Sequence, residues 1–148
     1  TQKIIDLTKE SNHFTPLCNI ISEKTIVNAI VGLIATGGST NHTMHIPAIA
    51  RVAGIIVTWE DFAKISEIVP LIAKVYPNGE KDVNQFHQAG GIAYVISQLL
   101  ESGLLHNDVN TVMGNNLHEH YTKNPYLDVQ PHPHQPFQLL HVACVHQH

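Results

Sequence analysis

The clearest pattern in the chain is a run of apolar residues at helical spacing that follows Ser22. These β-branched side chains recur at steps of one, three and four, which places them along one side of a helix: Ile26, Val27, Ile30, Val31 and Ile34. Ser22 can cap the start of this helix, and Gly37 can take the left-handed position after its end. The pattern therefore predicts a helix over residues 23–36.

Three more helices are predicted from similar signals. A Gly-Gly-Ser-Thr-Asn segment separates the first helix from a second one over 41–53, in which Pro47 predicts a kink or a delayed start. A capping signal favours a third helix over 59–69. The best amphipathic stripe in the chain predicts a fourth over 91–102.

One short run is typical of a strand rather than a helix. Residues 55–57 are Ile-Ile-Val and lie between Gly54 and Trp59, which favours a buried strand. Because helices account for most of the remaining pattern, the sequence predicts a helix-rich α/β fold. The centres of the apolar stripes should be among the most buried side chains: Ile30, Ile34, Ile49, Val95, Ile96 and Leu99.

Length and charge exclude several classes of protein. The 148 residues are 43% hydrophobic and carry a formal net charge of −4, which suits one core-bearing domain. Arg51 is the only arginine, so the chain has no basic stripe for a nucleic acid. No apolar run reaches the roughly 18 residues of a membrane span, and the first residues lack the apolar core of a signal peptide. We expect a cytoplasmic protein that binds neither nucleic acid nor membrane.

The amino-acid composition of the chain changes near its C-terminal end. Proline alternates with histidine there, and seven of the twelve histidines follow residue 117. We predict part of an α/β domain over 1–128 and a divergent, poorly ordered histidine- and proline-rich tail over 129–148.

Metal and thiol chemistry find little support. Cys18 and Cys144 are too far apart in sequence for a CxxC metal knuckle and too few for a disulfide scaffold. The tail holds metal donors at close spacing, at His141, Cys144 and His146. Without a rigid scaffold such donors are expected to act as an adventitious chelator, and physiological metal binding would require the tail to fold. We assign no metal site.

The segment between the first two helices carries the most suggestive local chemistry. Its glycines free backbone N–H groups, the next helix presents its positive end, and three side chains add donors; the residues are Gly37, Gly38, Ser39, Thr40 and Asn41. The same residues suit a helix–helix corner capped by Ser39 or Thr40. The sequence is therefore compatible both with an anion-binding site and with a purely structural corner between two helices.

Two histidines follow this segment. His42 and His45 project from the same side of the second helix because they are three residues apart. They could form an acid/base or ligand pair. The alternative is that His45, on an otherwise apolar face, is a core histidine bonded to a carbonyl.

A long string around these residues resembles a known family. Residues 34–45, IATGGSTNHTMH, and the following AIARVAGI at 48–55 resemble the dihydroxy-acid and 6-phosphogluconate dehydratases. Two further blocks, YPNG at 76–79 with the residues that follow it and LLHNDVNTV at 104–112, are similar to the phosphogluconate branch rather than to the branched-chain amino-acid branch. The tail from residue 130 onward does not resemble the family.

The resemblance implies a hydro-lyase of the Entner–Doudoroff pathway. Such an enzyme converts a sugar-acid phosphate, 6-phosphogluconate, to 2-keto-3-deoxy-6-phosphogluconate. The resemblance also implies an iron–sulfur cluster in the parent protein, allows a divalent cation, and implies a homodimer. The cluster cysteines of the family lie in motifs such as CDKxxPG, which this chain does not contain.

The chain is accordingly identified as an internal fragment of the N-terminal α/β domain of such a dehydratase. We expect the isolated fragment to be inactive, and we assign no catalytic residue to it. The substrate-binding candidates are Gly37, Gly38, Ser39, Thr40, Asn41, His42 and His45. Two alternatives stay open: a non-catalytic scaffold or interface segment of a dehydratase, and an enzyme that resembles dihydroxy-acid dehydratase.

Overall fold

A computed structural model describes residues 5–8 and 11–122, and these residues are mainly helical. Within these residues, a short 3-10 helix at Leu17–Asn19 precedes six α-helices: α1 Glu23–Thr36, α2 His42–Val52, α3 Trp59–Ser66, α4 Val83–Gln88, α5 Gly91–Glu101 and α6 Leu117–Thr122. Four of them form where the apolar periodicity and the capping residues predict helices. Neither the predicted boundary near 128 nor the predicted tail over 129–148 lies within the described residues.

The α/β class is not confirmed by the described part of the chain. Residues 55–57 have no regular secondary structure and pair with no strand, and the regions 5–8 and 11–122 contain only two isolated bridges. Ile55 donates instead to the Ala50 carbonyl at 2.8 Å, and the Ile56 side chain is 71% exposed. A strand needs a partner to satisfy its backbone groups, which the apolar run alone does not provide. The described fold is therefore helical.

The third helix is shorter than predicted. The pattern favours a helix to residue 69, but α3 ends at Ser66. Pro70 disfavours helical backbone at the residue before it, and Val69 turns into the core instead, where it is buried. The proline therefore redirects the chain toward α1.

Helix α1 lies at the centre of the fold. It contacts α2, α3 and α5, and it shares its buried residues between two clusters. On one side Val31 and Ala35 pack with residues of α5 and of the segment 69–73. On the other side Ile26 and Ile30 pack with α2. Because α1 is buried on two sides, its C-terminal end and the corner that follows have a fixed position.

The predicted core is confirmed in part. Ile30, Val95 and Leu99 are at most 2% exposed, whereas Ile34 and Ile96 are only partly buried. The prediction for Ile49 is wrong, because its side chain is 49% exposed. Helix α2 buries Ile46 and Ala50 instead, and Ile49 points about 80° away from the middle of that face at 100° per residue.

An open apolar groove of about 430 Å³ lies between α1, α5 and the loop over 109–112. Gly32 of α1 lines it, and a Cβ built at Gly32 has nothing within 4 Å. We therefore expect Gly32→Ala to raise the free energy of unfolding of the chain by about 0.5–1 kcal/mol, because glycine is a poor residue inside a helix. Chemical denaturation measures this change.

The matched control for Gly32→Ala is Ala29→Gly, which lies one turn earlier on α1 and also lines the groove. It should lower the free energy of unfolding by a similar amount. A loss of stability in Gly32→Ala would contradict the prediction and would mean that the groove is filled in solution.

The capping of α3 makes a pH-dependent contribution to stability. Hydrogen bonds from the backbone N–H and the hydroxyl of Thr58, both at 2.8 Å, lower the pKa of the Asp61 carboxyl. Folding thus favours the carboxylate, so this contribution is complete above the pKa of the unfolded chain and is lost as the pH falls through the folded pKa.

Asp61→Asn tests this contribution because the variant keeps an oxygen acceptor but does not titrate. We expect the difference in unfolding free energy between the wild type and Asp61→Asn to be constant from about pH 6 to 8 and to narrow below about pH 4. Denaturation at a series of pH values measures it. A difference that stays the same down to pH 3 would contradict the assignment.

Candidate functional site

The candidate site is the corner between α1 and α2, defined as residues 37–41. Gly37 ends α1 in the left-handed conformation, with φ of 55°. Its N–H donates to the Ile34 carbonyl at 3.1 Å, and the N–H of Gly38 donates to the Leu33 carbonyl at 3.0 Å. Both glycine N–H groups are therefore used to close α1, as a helix corner requires.

The next residues of the corner are only partly used in this way. The Asn41 N–H donates to Ser39 Oγ at 3.3 Å, and the His42 N–H donates to the Ser39 carbonyl at 3.0 Å. The N–H groups of Ser39 and Thr40 have no hydrogen-bond acceptor within the described part of the chain, and both side chains are exposed. The corner thus combines capping with two N–H groups that can donate hydrogen bonds to a ligand.

The two histidines lie on the first turn of α2 and are both exposed. The alternative that His45 is a core histidine is therefore wrong. The buried face of α2 passes through Ile46 and Ala50, which leaves His42 and His45 at the surface next to the corner. Of the seven candidate residues, Gly37 is partly buried and the other six are exposed.

A turn far along the sequence packs against this corner. The side-chain amide of Asn78 donates to the Gly37 carbonyl. The N–H groups of Ile72 and Ala73 both donate to the Ala35 carbonyl, at 2.7 and 3.0 Å. The loop over 72–81 is thereby attached to the end of α1.

The residue types Tyr-Pro-Asn-Gly at 76–79 are typical of a turn, but the sequence does not predict the contact of this turn with the corner. The Tyr76–Pro77 peptide is cis, and Asn78 lies 41 residues from Gly37. One available signal is that both segments belong to the blocks that carry the family resemblance. Both segments also contain glycine. At Gly79 a side chain would clash, because its Cβ would lie 2.2 Å from the Lys74 carbonyl oxygen.

The described residues do not fit an iron–sulfur cluster or another metal. Within 5–8 and 11–122, no three His, Cys, Asp or Glu side chains are grouped so that they could hold a metal ion. Cys18 is exposed, and its thiol donates a weak hydrogen bond to Asn19 Oδ1 at 3.8 Å. No step of a reaction can therefore be assigned to a metal held by these side chains.

The apolar groove is separate from the corner, since none of residues 37–41 lines it. Within the described part of the chain, no helix has both the length and the apolar character that crossing a bilayer requires. The chemistry that the corner offers is hydrogen-bond donation to an anionic or polar ligand.

Comparison with known proteins identifies the family. A family model described as dihydroxy-acid/6-phosphogluconate dehydratase N-terminal matches residues 1–120. The chain is 57% identical over 126 residues to a phosphogluconate dehydratase of Zymomonas mobilis, which is 85% of this chain and 21% of that protein.

Two further relatives are dehydratases of the same family. A phosphogluconate dehydratase of Escherichia coli K12 is 50% identical over 127 residues, which is 86% of this chain and 21% of that protein. A dihydroxy-acid dehydratase of Ralstonia nicotianae is 42% identical over 107 residues, which is 72% of this chain and 19% of that protein. The chain spans about a fifth of the length of these relatives. It belongs to the dihydroxy-acid/6-phosphogluconate dehydratase family and corresponds to part of the N-terminal region of that family.

Proposed function

We propose that the chain is part of a hydro-lyase that converts 6-phosphogluconate to 2-keto-3-deoxy-6-phosphogluconate. The observation that carries this proposal is the 57% identity over 126 residues to a phosphogluconate dehydratase, compared with 42% over 107 residues to a dihydroxy-acid dehydratase. The 76–79 and 104–112 blocks, which resemble the phosphogluconate branch, support the same choice of substrate.

The reaction itself defines what the complete enzyme must supply. The C2–H and C3–OH bonds of the substrate break, water leaves, and the resulting enol takes up a proton to become the 2-keto product. A base must accept the C2 proton, and an acid must assist the departure of the hydroxyl group. The described residues offer donors for substrate oxygens, so we propose a substrate-binding role for this segment rather than a proton-transfer role.

We propose that the corner and the two histidines line the substrate pocket of the complete enzyme. The N–H groups of Ser39 and Thr40 lie at the positive end of α2, where an anionic oxygen is stabilised. The substrate carries such oxygens on its phosphate and its carboxylate. His42 and His45, exposed on the adjoining turn, would contact the same ligand.

Cofactor, assembly and location are finer parts of the proposal. The family resemblance supports an iron–sulfur cluster, a homodimer and a cytoplasmic location for the complete enzyme. The described residues do not supply a ligand set for the cluster, so the proposal gives this segment no part in holding it.

A chimera tests the proposed function. The part of this chain that matches the Zymomonas mobilis enzyme over 126 residues would replace its counterpart in that enzyme, and formation of the 2-keto acid from 6-phosphogluconate would be assayed. We expect turnover within about tenfold of the parent, because a matching segment should leave the catalytic groups in place. Displacing those groups would lower the rate by far more than about tenfold. A folded chimera without turnover would contradict the proposal, and a chimera that prefers a dihydroxy acid would support the other branch.

The matched control for this chimera carries the corresponding segment of the Ralstonia nicotianae dihydroxy-acid dehydratase in the same position. We expect that chimera to lose activity toward 6-phosphogluconate. Equal activity of the two chimeras would show that the segment does not contribute to substrate choice.

A scaffold or interface role is the second candidate, and exposed apolar side chains favour it. They follow one another from the end of α2 to the start of α3: Ile49, Val52, Ile56 and Trp59, with exposed fractions of 49, 92, 71 and 69%. Such a patch is typical of a surface that another part of an assembly covers. Val52→Asp in the chimera should impair assembly in gel filtration if this segment serves as an interface, and should leave it unchanged otherwise.

A further inference from the structure

We propose that Asn78 is a positioning residue for substrate binding, because it fixes the corner through the Gly37 carbonyl. This inference rests on the proposed function, since it requires that residues 37–41 contact the substrate. It goes beyond that function in assigning a role to the loop over 72–81.

The peptide group between Gly37 and Gly38 is held from both sides. Its carbonyl accepts from the Asn78 side-chain amide, and its N–H donates to the Leu33 carbonyl at 3.0 Å. One partner belongs to α1 and the other to the 72–81 loop. Loss of Asn78 would leave only the α1 bond and would allow the peptide to rotate about it.

The contact is close enough to fix the geometry. A Cβ built at Gly37 would lie 2.7 Å from Asn78 Nδ2, so the Asn78 amide occupies the space that a side chain would need. Gly37 also adopts the left-handed conformation, which glycine accepts without strain. The glycine thus permits the approach of Asn78 to the backbone.

Asn78 is itself held in place by the loop. Its own N–H donates to the Val75 carbonyl at 2.8 Å, and the Tyr76 N–H donates to the Lys81 carbonyl at 2.8 Å. Earlier in the loop, Ile72 and Ala73 are bonded to the end of α1. Asn78 therefore connects two fixed pieces of backbone.

The effect on a ligand follows from the order of residues along the corner. Ser39 and Thr40, whose N–H groups lack acceptors in the described part of the chain, follow directly after the Gly37–Gly38 peptide. Rotation of this peptide changes the direction of both N–H groups. Because hydrogen bonds weaken steeply as their angle departs from linear, substrate affinity should fall while the catalytic groups elsewhere stay in place.

Kinetics of the chimera described above test the inference. In Asn78→Ala we expect KM for 6-phosphogluconate to rise about five- to tenfold, the equivalent of one hydrogen bond. We expect kcat to stay within about twofold and the melting temperature to match that of the control. Asn78→Leu, which keeps the branching at Cγ but not the donor, should behave in the same way.

Asn110→Ala is the matched control, because the Asn110 amide also donates to a distant backbone carbonyl, that of Asn19 at 2.8 Å. We expect its KM to be unchanged. If both Asn78 variants keep the parental KM, or if Asn110→Ala raises KM equally, the inference is overturned. A chimera that shows no turnover before any substitution would instead contradict the proposed function.

Discussion

Leu99→Ala is expected to lower the free energy of unfolding of the chain by about 3 kcal/mol. Leu99 is 1% exposed and belongs to the cluster in which α5 packs against α1. Removing its side chain forfeits the transfer free energy of the lost carbons and leaves a cavity that the surrounding residues fill only in part. The cluster that it leaves incomplete consists of Val31, Ala35, Val69, Ala73 and Val95.

Chemical denaturation of Leu99→Ala measures this loss, and Ile92→Ala is its matched control. Ile92 lies on the same helix but is 53% exposed, so its truncation should cost less than about 1 kcal/mol. Similar losses in the two variants would contradict the helical packing described for α5.

Gly37→Ala is expected to lower the free energy of unfolding by about 2–3 kcal/mol. An alanine in the left-handed conformation costs roughly 1–2 kcal/mol. Its Cβ would also lie 2.7 Å from Asn78 Nδ2 and 2.9 Å from Leu71 Cδ1, so both side chains would have to move. The substitution thus strains the corner and displaces the loop that packs on it.

Gly54→Ala separates the two causes of the Gly37 effect. Gly54 also has a positive φ, of 80°, but a Cβ built there has nothing within 4 Å. Its substitution should therefore cost only the backbone contribution of roughly 1–2 kcal/mol. Equal losses at the two glycines, measured by denaturation, would contradict the close contact between Asn78 and the corner.

Local sequence signals predict the helices of this chain well. The cap at Ser22, the apolar stripe of α1 and the glycine at 37 are all encoded within a few residues, and α1 forms over the predicted span. The strand at 55–57 does not form in the described part, because pairing depends on a partner that no local pattern specifies. The prediction that Ile49 is buried is wrong for a related reason, since neighbouring helices decide which face of α2 is covered.

The candidate site shows the same division between local and distant signals. The sequence indicates donors at the corner because glycines and a helix start are local features. It does not indicate that Asn78 binds the Gly37 carbonyl, because the two residues are 41 positions apart. It also leaves the position of His45 open, which depends on how α2 packs against α1.

The most direct test of a substrate-binding role for the corner is whether 6-phosphogluconate protects the corner from a chemical label. In the chimera carrying Thr40→Cys, the rate of maleimide labelling at position 40 would be followed by peptide mass spectrometry, with Cys18, which is exposed in this chain, as the internal control. If the corner lines the substrate pocket, saturating substrate should slow labelling at position 40 at least tenfold and leave Cys18 unchanged. Equal labelling rates at position 40 with and without substrate, in a chimera that turns over, would contradict a substrate-binding role for the corner.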